Sequence, residues 1–332
     1  MADESPILVS IIIPAFNAAE YIGETLDSVF AQTFTGFEVI VINDGSPDTE
    51  DLERKLKRFP SQLRYLKQEN KGAAAARNTG LRAAAGELVA FLDADDTWLP
   101  NFLEKQLDLL KRSNTDFVYA DALLTGNAPL SGRTFMQVQP SRGEVTPESL
   151  LAVEVTVLTS TVLARKQPII EVGLFNESVK RGHDFELWLR LAKHGVRFAY
   201  QDDVLAHHRI IEGSLSGDTI SQLKRTLSVL EVIGKREDLS AGEQAALQFN
   251  RNRTLGELAL EDGKSRLIAG DFPGAREGFR KARQLHGGWK LRLVCAGMTL
   301  TPELLRRVYS HKKAQEAQRA QEAQRAQEVQ KA

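Results

Sequence analysis

Three carboxylates occupy four consecutive positions of this chain, at Asp93, Asp95 and Asp96, directly after an apolar run. Like charges held this close repel one another, so such a cluster is typical of a site that binds a cation or a polyhydroxyl ligand. We predict a buried strand over residues 87–92, and the acids therefore fall at its carboxyl end. Open α/β sheets bind their ligands at that edge.

The same acids also fit a solvated turn that leads into a helix predicted at residues 98–112. In that alternative, Asp96 or Thr97 would cap the helix. The remainder of the chain has to separate a ligand site from a turn.

Short apolar runs alternate with longer helical patterns through the first half of the chain, and this alternation predicts an α/β fold. It favours right-handed βαβ units in a mainly parallel sheet with helices on both faces. The predicted strands are residues 8–13, 37–42, 63–67, 88–92 and 117–124, and the predicted helices are residues 19–31, 49–58, 73–84 and 101–111.

The pattern changes after the last of these strands. Residues 131–145 are rich in Gly, Pro, Ser and Arg and are predicted to form a surface loop, whereas residues 184–194 predict an amphipathic helix that ends at Gly195. We expect a catalytic domain over residues 1–220 and an α-helical C-terminal domain over residues 221–310.

Within the helical region, residues 269–282 resemble one helix-turn-helix unit of the tetratricopeptide type, so helix pairs of that kind are a further expectation. From residue 311 we predict a tail that is helical or disordered. It repeats Ala-Gln-Glu-Ala-Gln-Arg from Ala314, a period of six that gives no continuous apolar stripe. The helical region also offers a surface for oligomerisation.

Composition excludes several classes of protein. The 332 residues have a formal net charge of −1, which gives no support for nucleic-acid binding, and the single cysteine, Cys295, excludes an intrachain disulfide or a thiolate metal site. With no run of eighteen apolar residues and an acidic N-terminus, we expect a cytoplasmic protein that neither spans a membrane nor carries a secretion signal. Basic and apolar residues over 290–309 leave peripheral membrane contact open.

The first predicted βα turn, residues 13–17, reads Ile-Pro-Ala-Phe-Asn and lacks the Gly-x-Gly-x-x-Gly of dinucleotide-binding folds. The chain also contains no Gly-x-x-x-x-Gly-Lys-Ser/Thr loop of NTPases. The sheet is therefore of a nucleotide-binding type without either common phosphate loop.

Three motifs and the acidic cluster together resemble family 2 glycosyltransferases, which have the GT-A fold. The motifs are VSIIIPAFN at residues 9–17, VIVINDGS at 39–46 and GAAAARN at 72–78. With the cluster they stand in the order expected of that family, and the resemblance covers about the first 220 residues. It implies a GT-A domain that binds a nucleotide sugar.

The resemblance implies a role for each motif in donor binding. The turn Pro14, Ala15, Phe16 and Asn17 would supply backbone contacts to the nucleotide, while also serving as an ordinary strand-to-helix turn. Asp44 would accept the imide N–H of uracil or thymine; an aspartate turn before Gly45 is the alternative.

Arg77 resembles the arginine that lies beside the nucleotide in relatives, and a surface ion pair is its alternative. Asp93 would reach the ribose or the metal shell, and Asp95 would ligate the metal directly. Oxygen ligands in an incomplete shell suit Mn²⁺ or Mg²⁺. Asp96 would orient the loop or cap the helix.

The catalytic base implied by the resemblance is Asp184, which would take the proton of the acceptor hydroxyl. Relatives commonly carry Glu-Asp before a Leu-Trp-Leu-Arg helix, whereas His183 precedes the aspartate here. A helix cap is the alternative role for Asp184.

A second departure lies downstream, where relatives often show a histidine that joins the metal, followed by a Gly-Ser-x-Ser turn. This chain keeps Arg209, and then Gly213, Ser214 and Ser216, but has Ile211 at the usual histidine position. His207 or His208 could take the place of that histidine.

These inferences together predict an inverting, metal-dependent glycosyltransferase that moves a sugar from a nucleoside-diphosphate donor to an acceptor hydroxyl. A UDP-sugar is the favoured donor, the acceptor is a carbohydrate or lipid-linked, and surface polysaccharide or glycoconjugate synthesis is the expected setting. The alternative is a non-catalytic sugar-nucleotide-binding or scaffold protein with a degenerate transferase domain. A nucleotidyltransferase fits less well because the first βα turn lacks a Gly-rich basic loop.

Overall fold

A computed structural model describes residues 8–60, 63–126, 130–139, 141–210, 219–286 and 289–311, together with 314, 315 and 318. The chain divides into two compact units. The first comprises residues 1–125 and 132–209, and the second comprises residues 126–131 and 210–332.

An eight-stranded sheet, counted over the described residues, forms the centre of the first unit. Its strands are β1 (Val9–Ala15), β2 (Phe37–Asp44), β3 (Leu63–Gln68), β4 (Leu88–Phe91), β5 (Thr97–Trp98), β6 (Phe117–Gly126), β7 (Leu163–Arg165) and β8 (Phe198–Ile210). They lie in the order β3-β2-β1-β4-β7-β6-β8-β5. Strands β1 to β4 pair in parallel as predicted, whereas β7 pairs antiparallel with β4 and β6, and β5 with β8, so the whole sheet is mixed.

Helices cover both faces of this sheet, as predicted. Alternate residues of β1, such as Ile11 and Ile12, belong to different apolar clusters because successive side chains of a strand point to opposite faces. The helices of this unit are α1 (Ile22–Phe30), α2 (Thr49–Leu56), α3 (Ala73–Ala83), α4 (Phe102–Arg112), α5 (Phe135–Val138), α6 (Pro147–Leu151), α7 (Lys166–Glu171) and α8 (His183–Lys193). Strands buried on both sides read as continuous apolar runs, which is why β1, β2 and β4 were predictable.

The helix predicted from residue 98 begins at Phe102, and its N-cap is Asn101. Thr97 and Trp98 instead form β5, paired with His207 and Ala206 of β8. The prediction that Asp96 or Thr97 caps this helix is therefore wrong, because a strand pairing separates the acidic loop from the helix.

The segment predicted as a surface loop at residues 131–145 is partly packed. It contains α5, whose Phe135 packs against the core, and the Met136 N–H donates a hydrogen bond to Asp121. A Thr134–Gln137 capping box stabilises this short helix. At four residues, α5 is too short to show the apolar periodicity from which a helix is predicted.

Helices and no strands follow in the described residues from 219 onward, as predicted. They are α9 (Thr219–Gly234), α10 (Ala241–Ala269), α11 (Phe272–His286), α12 (Trp289–Leu300) and a helix over residues 302–311. Helices α10 and α11 pack closely where a Cβ on Gly278 would lie 2.8 Å from the Cα of Gly263. Apart from residues 314, 315 and 318, the repeat tail from Ala314 lies outside the described residues.

Each helix in the described part of the chain is either too short or too polar to cross a lipid bilayer.

Candidate active site

The chain order of the sheet reverses at β1, which lies between β2 and β4 and is parallel to both. In open α/β sheets, ligands bind outside the carboxyl ends of the strands at such a reversal. The turn after β1, Asp44 at the end of β2 and the acidic loop after β4 all lie at this edge.

The turn after β1 is fixed by its backbone. Pro14 and Ala15 are the last residues of β1, and Ala15 is fully buried, so both can offer a ligand little more than main-chain groups. Phe16 is 51% exposed. Asn17 has a φ of 52°, and its N–H donates to the Ser46 hydroxyl at 2.6 Å. The turn therefore presents an aromatic ring beside a backbone held in the left-handed region.

Asp44 is buried and holds the loop that leads into α3. One carboxylate oxygen accepts from Gln68 Nε2 at 2.8 Å and from the Lys71 N–H at 2.9 Å, and the other accepts from the Gly72 N–H at 2.8 Å. A carboxylate offers about four acceptor positions, so one is left for a ligand. The contact of Asp44 with a nucleobase stays a prediction.

Asp96 is a structural member of the acidic cluster. Its side chain is fully buried and accepts hydrogen bonds from the Ser160 hydroxyl at 2.5 Å, the Arg209 N–H at 2.8 Å and His208 Nδ1 at 3.0 Å. Asp96 therefore orients the acidic loop, which is the first of its two predicted roles.

His208 supplies the charge that compensates Asp96. Burial would lower the pKa of His208, but the charge of Asp96 and its hydrogen bond outweigh burial and raise that pKa to about 9. The imidazolium is thus stable at neutral pH. His207 Nδ1 lies 3.5 Å from the Thr97 hydroxyl. Through Nδ1, both histidines predicted as substitute metal ligands contact other residues.

Arg77 joins Asp93 to the residue before the predicted base. Its guanidinium is buried, donating to Asp93 Oδ1 at 2.5 Å through one terminal nitrogen and to His183 Nε2 at 2.6 Å through the other. The Arg77 guanidinium also lies 5.7 Å from the centre of the Phe175 ring. Burial and the Arg77 charge lower the pKa of His183, so this imidazole is neutral at pH 7.

Two buried nitrogens of this pair, Arg77 Nε and His183 Nδ1, have no hydrogen-bond partner within the described residues. His183 therefore uses Nε2 as the acceptor and carries its proton on Nδ1. His183, which stands where relatives commonly carry Glu, connects Arg77 to the start of α8.

Asp184 lies on the first turn of α8, two residues after the N-cap Gly182, whose φ is 69°. Its carboxylate accepts from the Phe185 N–H at 2.9 Å and from the Thr159 hydroxyl at 2.9 Å. Burial alone would raise the pKa of Asp184, but the charges of His183 and Arg77 and these two hydrogen bonds lower it. Because His183 is neutral at pH 7, Arg77 supplies the lasting charge, and Asp184 is ionised at neutral pH.

Asp95 has the carboxylate that remains uncompensated. Among the described residues, no hydrogen bond or ion pair from another residue engages its side chain, and burial together with the charges of Asp96 and Asp93 raises its pKa to about 7. A carboxylate in this setting is stabilised by a cation, so Asp95 fits the predicted role in holding Mn²⁺ or Mg²⁺.

The described residues do not by themselves complete a metal site. The described residues contain no group of three or more His, Cys, Asp or Glu side chains arranged to hold a metal ion. Mg²⁺ commonly binds through one or two carboxylates together with substrate phosphates. Asp95, and the Asp93 oxygen that has no partner among the described residues, fit the carboxylate part of that set.

The Arg209 side chain connects the acidic loop to α1 and to the residue before it. Its Nε donates to the Asp95 carbonyl at 3.0 Å, a terminal nitrogen donates to Glu24 at 2.6 Å, and the guanidinium lies 4.9 Å from the centre of the Tyr21 ring. The predicted contact of Arg209 with the nucleotide stays a prediction, and the turn at Gly213, Ser214 and Ser216, like Ile211, lies outside the described residues.

Two residues of the site were not predicted. A 3₁₀ turn at Thr159–Thr161 provides the Thr159 hydroxyl that contacts Asp184, and the Ser160 hydroxyl that contacts Asp96 and receives the Asp93 N–H at 3.2 Å. One sequence signal was present, a run of three hydroxyl residues between Leu158 and Val162. This turn links the acidic loop to Asp184.

Comparison with known proteins identifies the family and the fold. Residues 10–161 match the family described as "Glycosyl transferase family 2". An uncharacterized glycosyltransferase of Rickettsia conorii is 33% identical over 193 residues, which are 55% of this chain and 31% of that relative, so the chain spans under a third of that protein's length. Escherichia coli WfgD, named UDP-Glc:alpha-D-GlcNAc-diphosphoundecaprenol beta-1,3-glucosyltransferase, is 30% identical over 225 residues, which are 67% of this chain and 85% of WfgD.

The fold also matches a solved structure, the mannosyltransferase PcManGT of Pyrobaculum calidifontis in complex with GDP-Man and Mn²⁺. That match has a TM-score of 0.62 and 20% identity, and it covers 95% of this chain and 85% of the other. The predicted GT-A fold class, with its helical C-terminal region, is thereby confirmed. The family match and the two relatives confirm the predicted family as well: the chain belongs to glycosyl transferase family 2.

Proposed function

We propose that this protein is an inverting, metal-dependent glycosyltransferase that uses a nucleoside-diphosphate sugar, with a UDP-sugar as the favoured donor. The acceptor is the hydroxyl of a carbohydrate, carried on a lipid, in the synthesis of surface polysaccharide or glycoconjugate. WfgD supports both choices, since its name specifies UDP-Glc and a diphosphoundecaprenol-linked sugar. We assign the reaction to the cytoplasm, which suits the free Cys295.

The observation that carries this proposal is the bridge through Arg77. Its two terminal nitrogens contact Asp93 in the acidic loop and His183 beside Asp184. The bridge supports a single site in which the group that holds the donor and the group that accepts the proton have fixed relative positions. Positioning of this kind lowers the entropic part of the barrier.

In the reaction, the acceptor oxygen forms a bond to the anomeric carbon while the bond from that carbon to the diphosphate oxygen breaks. The acceptor proton passes to Asp184, whose carboxylate retains acceptor positions beyond those used by Phe185 and Thr159. Its lowered pKa is suitable because the proton is transferred as the acceptor attacks. The displacement needs no covalent intermediate between sugar and enzyme.

Asp95 and Asp93 would hold the metal. A bound Mn²⁺ or Mg²⁺ would neutralise the charge that develops on the departing nucleoside diphosphate. Asp96, paired with His208, keeps the loop that carries both carboxylates in place.

The donor is tested by thermal shift with a panel of UDP-, dTDP- and GDP-sugars, each with and without Mn²⁺. We expect the largest increase in melting temperature with a UDP-sugar and metal together, because a ligand that binds the folded state stabilises it. An Asp95→Asn variant should lose the metal-dependent part of that increase. Equal shifts with and without metal would refute the metal assignment.

The base is tested with Asp184→Asn, which should abolish transfer and donor hydrolysis while nucleotide binding in the thermal-shift assay is retained. Asp203→Asn is the matched control, since Asp203 lies on the same unit in an exposed pair with Lys105. A wild-type protein that binds donor but neither transfers nor hydrolyses any sugar would instead support the non-catalytic binder.

A further inference from the structure

The outer face of the last two described helices is apolar. Ten large hydrophobic side chains are exposed in the described part of the chain, and five of them lie within residues 289–308. These five are 55% to 79% exposed, and they are Trp289, Leu293, Leu300, Leu304 and Val308. A concentration of this kind in twenty residues indicates an interaction surface.

The apolar residues of α12 share one side of the helix. At 100° per residue, Trp289, Leu293 and Leu300 fall within about 40° of one another. The opposite side carries Val294 and Met298, which pack into the core of the second unit. The outward apolar residues are therefore additional to those that stabilise the fold.

The helix over residues 302–311 repeats this arrangement. Its inner side places Leu305 and Tyr309 against the same core. Leu304 and Val308 point outward, and Arg307, which lies between them in sequence, is also exposed. Both helices thus bury one apolar side and present a second one to the solvent.

The charge of this surface identifies its partner. Residues 289–311 contain four basic residues, Lys290, Arg292, Arg306 and Arg307, against one acid, Glu303. Arg306 pairs with Glu303 at 3.9 Å, and no acid in the described part of the chain pairs with the exposed Arg292 and Arg307, which lie beside the apolar residues. A helix surface that combines Trp and Leu with arginine is typical of peptides that lie in the interface of an anionic membrane.

We propose that the outward face of α12 and of the helix over residues 302–311, which we name the apolar face, binds the surface of an anionic lipid bilayer. Trp289 and the leucines enter the boundary between headgroups and acyl chains, and Arg292 and Arg307 contact the lipid phosphates. The protein lies on the membrane without crossing it. This contact is independent of the transferase activity, because it needs neither donor nor acceptor.

Tryptophan fluorescence offers a direct assay. All three tryptophans of the chain are described, and Trp98 and Trp188 are 3% and 1% exposed whereas Trp289 is 66% exposed. Vesicles of phosphatidylcholine with phosphatidylglycerol, free of any acceptor, are titrated into the full-length protein. We expect a blue shift from Trp289, quenching by brominated lipid, and co-sedimentation that weakens in high salt.

Variants separate the apolar and the charged contributions. Leu293→Gln with Leu300→Gln should abolish co-sedimentation, and the matched control, Val232→Gln with Phe249→Gln, changes two exposed apolar residues elsewhere in the second unit and should leave it unchanged. Arg292→Gln and Arg307→Gln should each weaken partitioning about fivefold, since a basic residue near an anionic surface contributes on the order of 1 kcal/mol. Arg283→Gln, on the exposed side of α11, is their control.

Two results would overturn the proposal. One is a wild-type protein that fails to bind anionic vesicles. The other is a lipid-free dimer, seen by light scattering, that Leu293→Gln with Leu300→Gln converts to a monomer, since a second copy of the chain would then cover the apolar face. Near-wild-type melting temperatures are required of all variants, so loss of binding is not confused with unfolding.

Discussion

Substitution of His208 by glutamine tests the pair that fixes the acidic loop. Glutamine keeps a hydrogen-bond donor towards Asp96 but removes the positive charge. The pKa of His208 is raised from 6.5 to about 9 in the folded protein. At about 1.4 kcal/mol per pH unit, that difference amounts to about 3 kcal/mol of folding stability.

The pH dependence has a definite sign. Between pH 6.5 and 9 the folded protein holds a proton on His208 that the unfolded chain releases, so the stabilisation is complete below pH 6.5 and is lost as the pH rises to 9. The unfolding free energy of the wild-type protein should therefore exceed that of His208→Gln by about 3 kcal/mol at pH 6. The excess should fall by about 1.4 kcal/mol per pH unit above pH 6.5.

Urea unfolding followed by tryptophan fluorescence measures this difference, because Trp98 is buried two residues from Asp96. His194→Gln is the control. His194 and Glu171 form an exposed pair at 3.2 Å, so its loss should change the unfolding free energy by under about 1 kcal/mol at either pH. A difference between wild type and His208→Gln that is the same at pH 6 and pH 9 would refute the assignment of a charged His208.

Three further predictions follow from the first unit. Thr159→Val removes the hydroxyl that contacts Asp184 at 2.9 Å, so the acidic limb of the kcat/KM profile should rise by about 0.7 pH unit for a hydrogen bond worth about 1 kcal/mol; an unmoved limb would contradict the role of Asp184 as base. Burial raises the pKa of Glu38, but three hydrogen bonds outweigh burial and lower it, so Glu38→Gln should destabilise the protein by about 1–3 kcal/mol at pH 7 and by less at pH 3 in urea unfolding. Gly80→Ala places a Cβ 2.5 Å from a methyl carbon of Ile12. Because overpacking a core costs about 1–3 kcal/mol of folding stability, the melting temperature of this variant should be lower than that of the wild type.

Sequence patterns predicted the part of the sheet that is buried on both faces. Strands β1, β2 and β4 consist mostly of apolar residues, and that signal does not depend on their partners. Strand β8 was missed because it contains Gln201, Asp202 and Asp203, which break the apolar run. Its place in the sheet comes from pairing with strands distant in sequence, and a local pattern does not record such pairing.

The candidate site divides in the same way. The acidic cluster was visible as chemistry, because three adjacent carboxylates are unusual wherever they occur. Asp184 entered through the family resemblance, since an aspartate at the start of a helix is ordinary by itself. Thr159 and Ser160 were missed because their contacts span 25 and 64 residues of sequence.

Among the described residues, two positively charged side chains form ion pairs with two of the three carboxylates of the acidic loop. His208 compensates the buried Asp96, and Arg77 compensates Asp93, but in the described part of the chain Asp95 has no ion-pair partner of its own. The loop is therefore fixed at both ends before any ligand arrives, while the carboxyl group at its centre has a pKa near 7 that a bound cation would lower. Such preorganisation is favourable for catalysis, because the protein does not have to reorganise when charge develops on the donor.

Arg77 has a second consequence for the chemistry. The guanidinium that compensates Asp93 also lowers the pKa of Asp184, so in the proposed reaction both donor binding and proton acceptance would depend on one buried charge. Replacement of Arg77 should thus weaken both functions together, whereas Thr159→Val affects the base alone. One terminal nitrogen of Arg77 contacts Asp93 and the other contacts His183. The size of the guanidinium therefore sets the distance between the acidic loop and the start of α8.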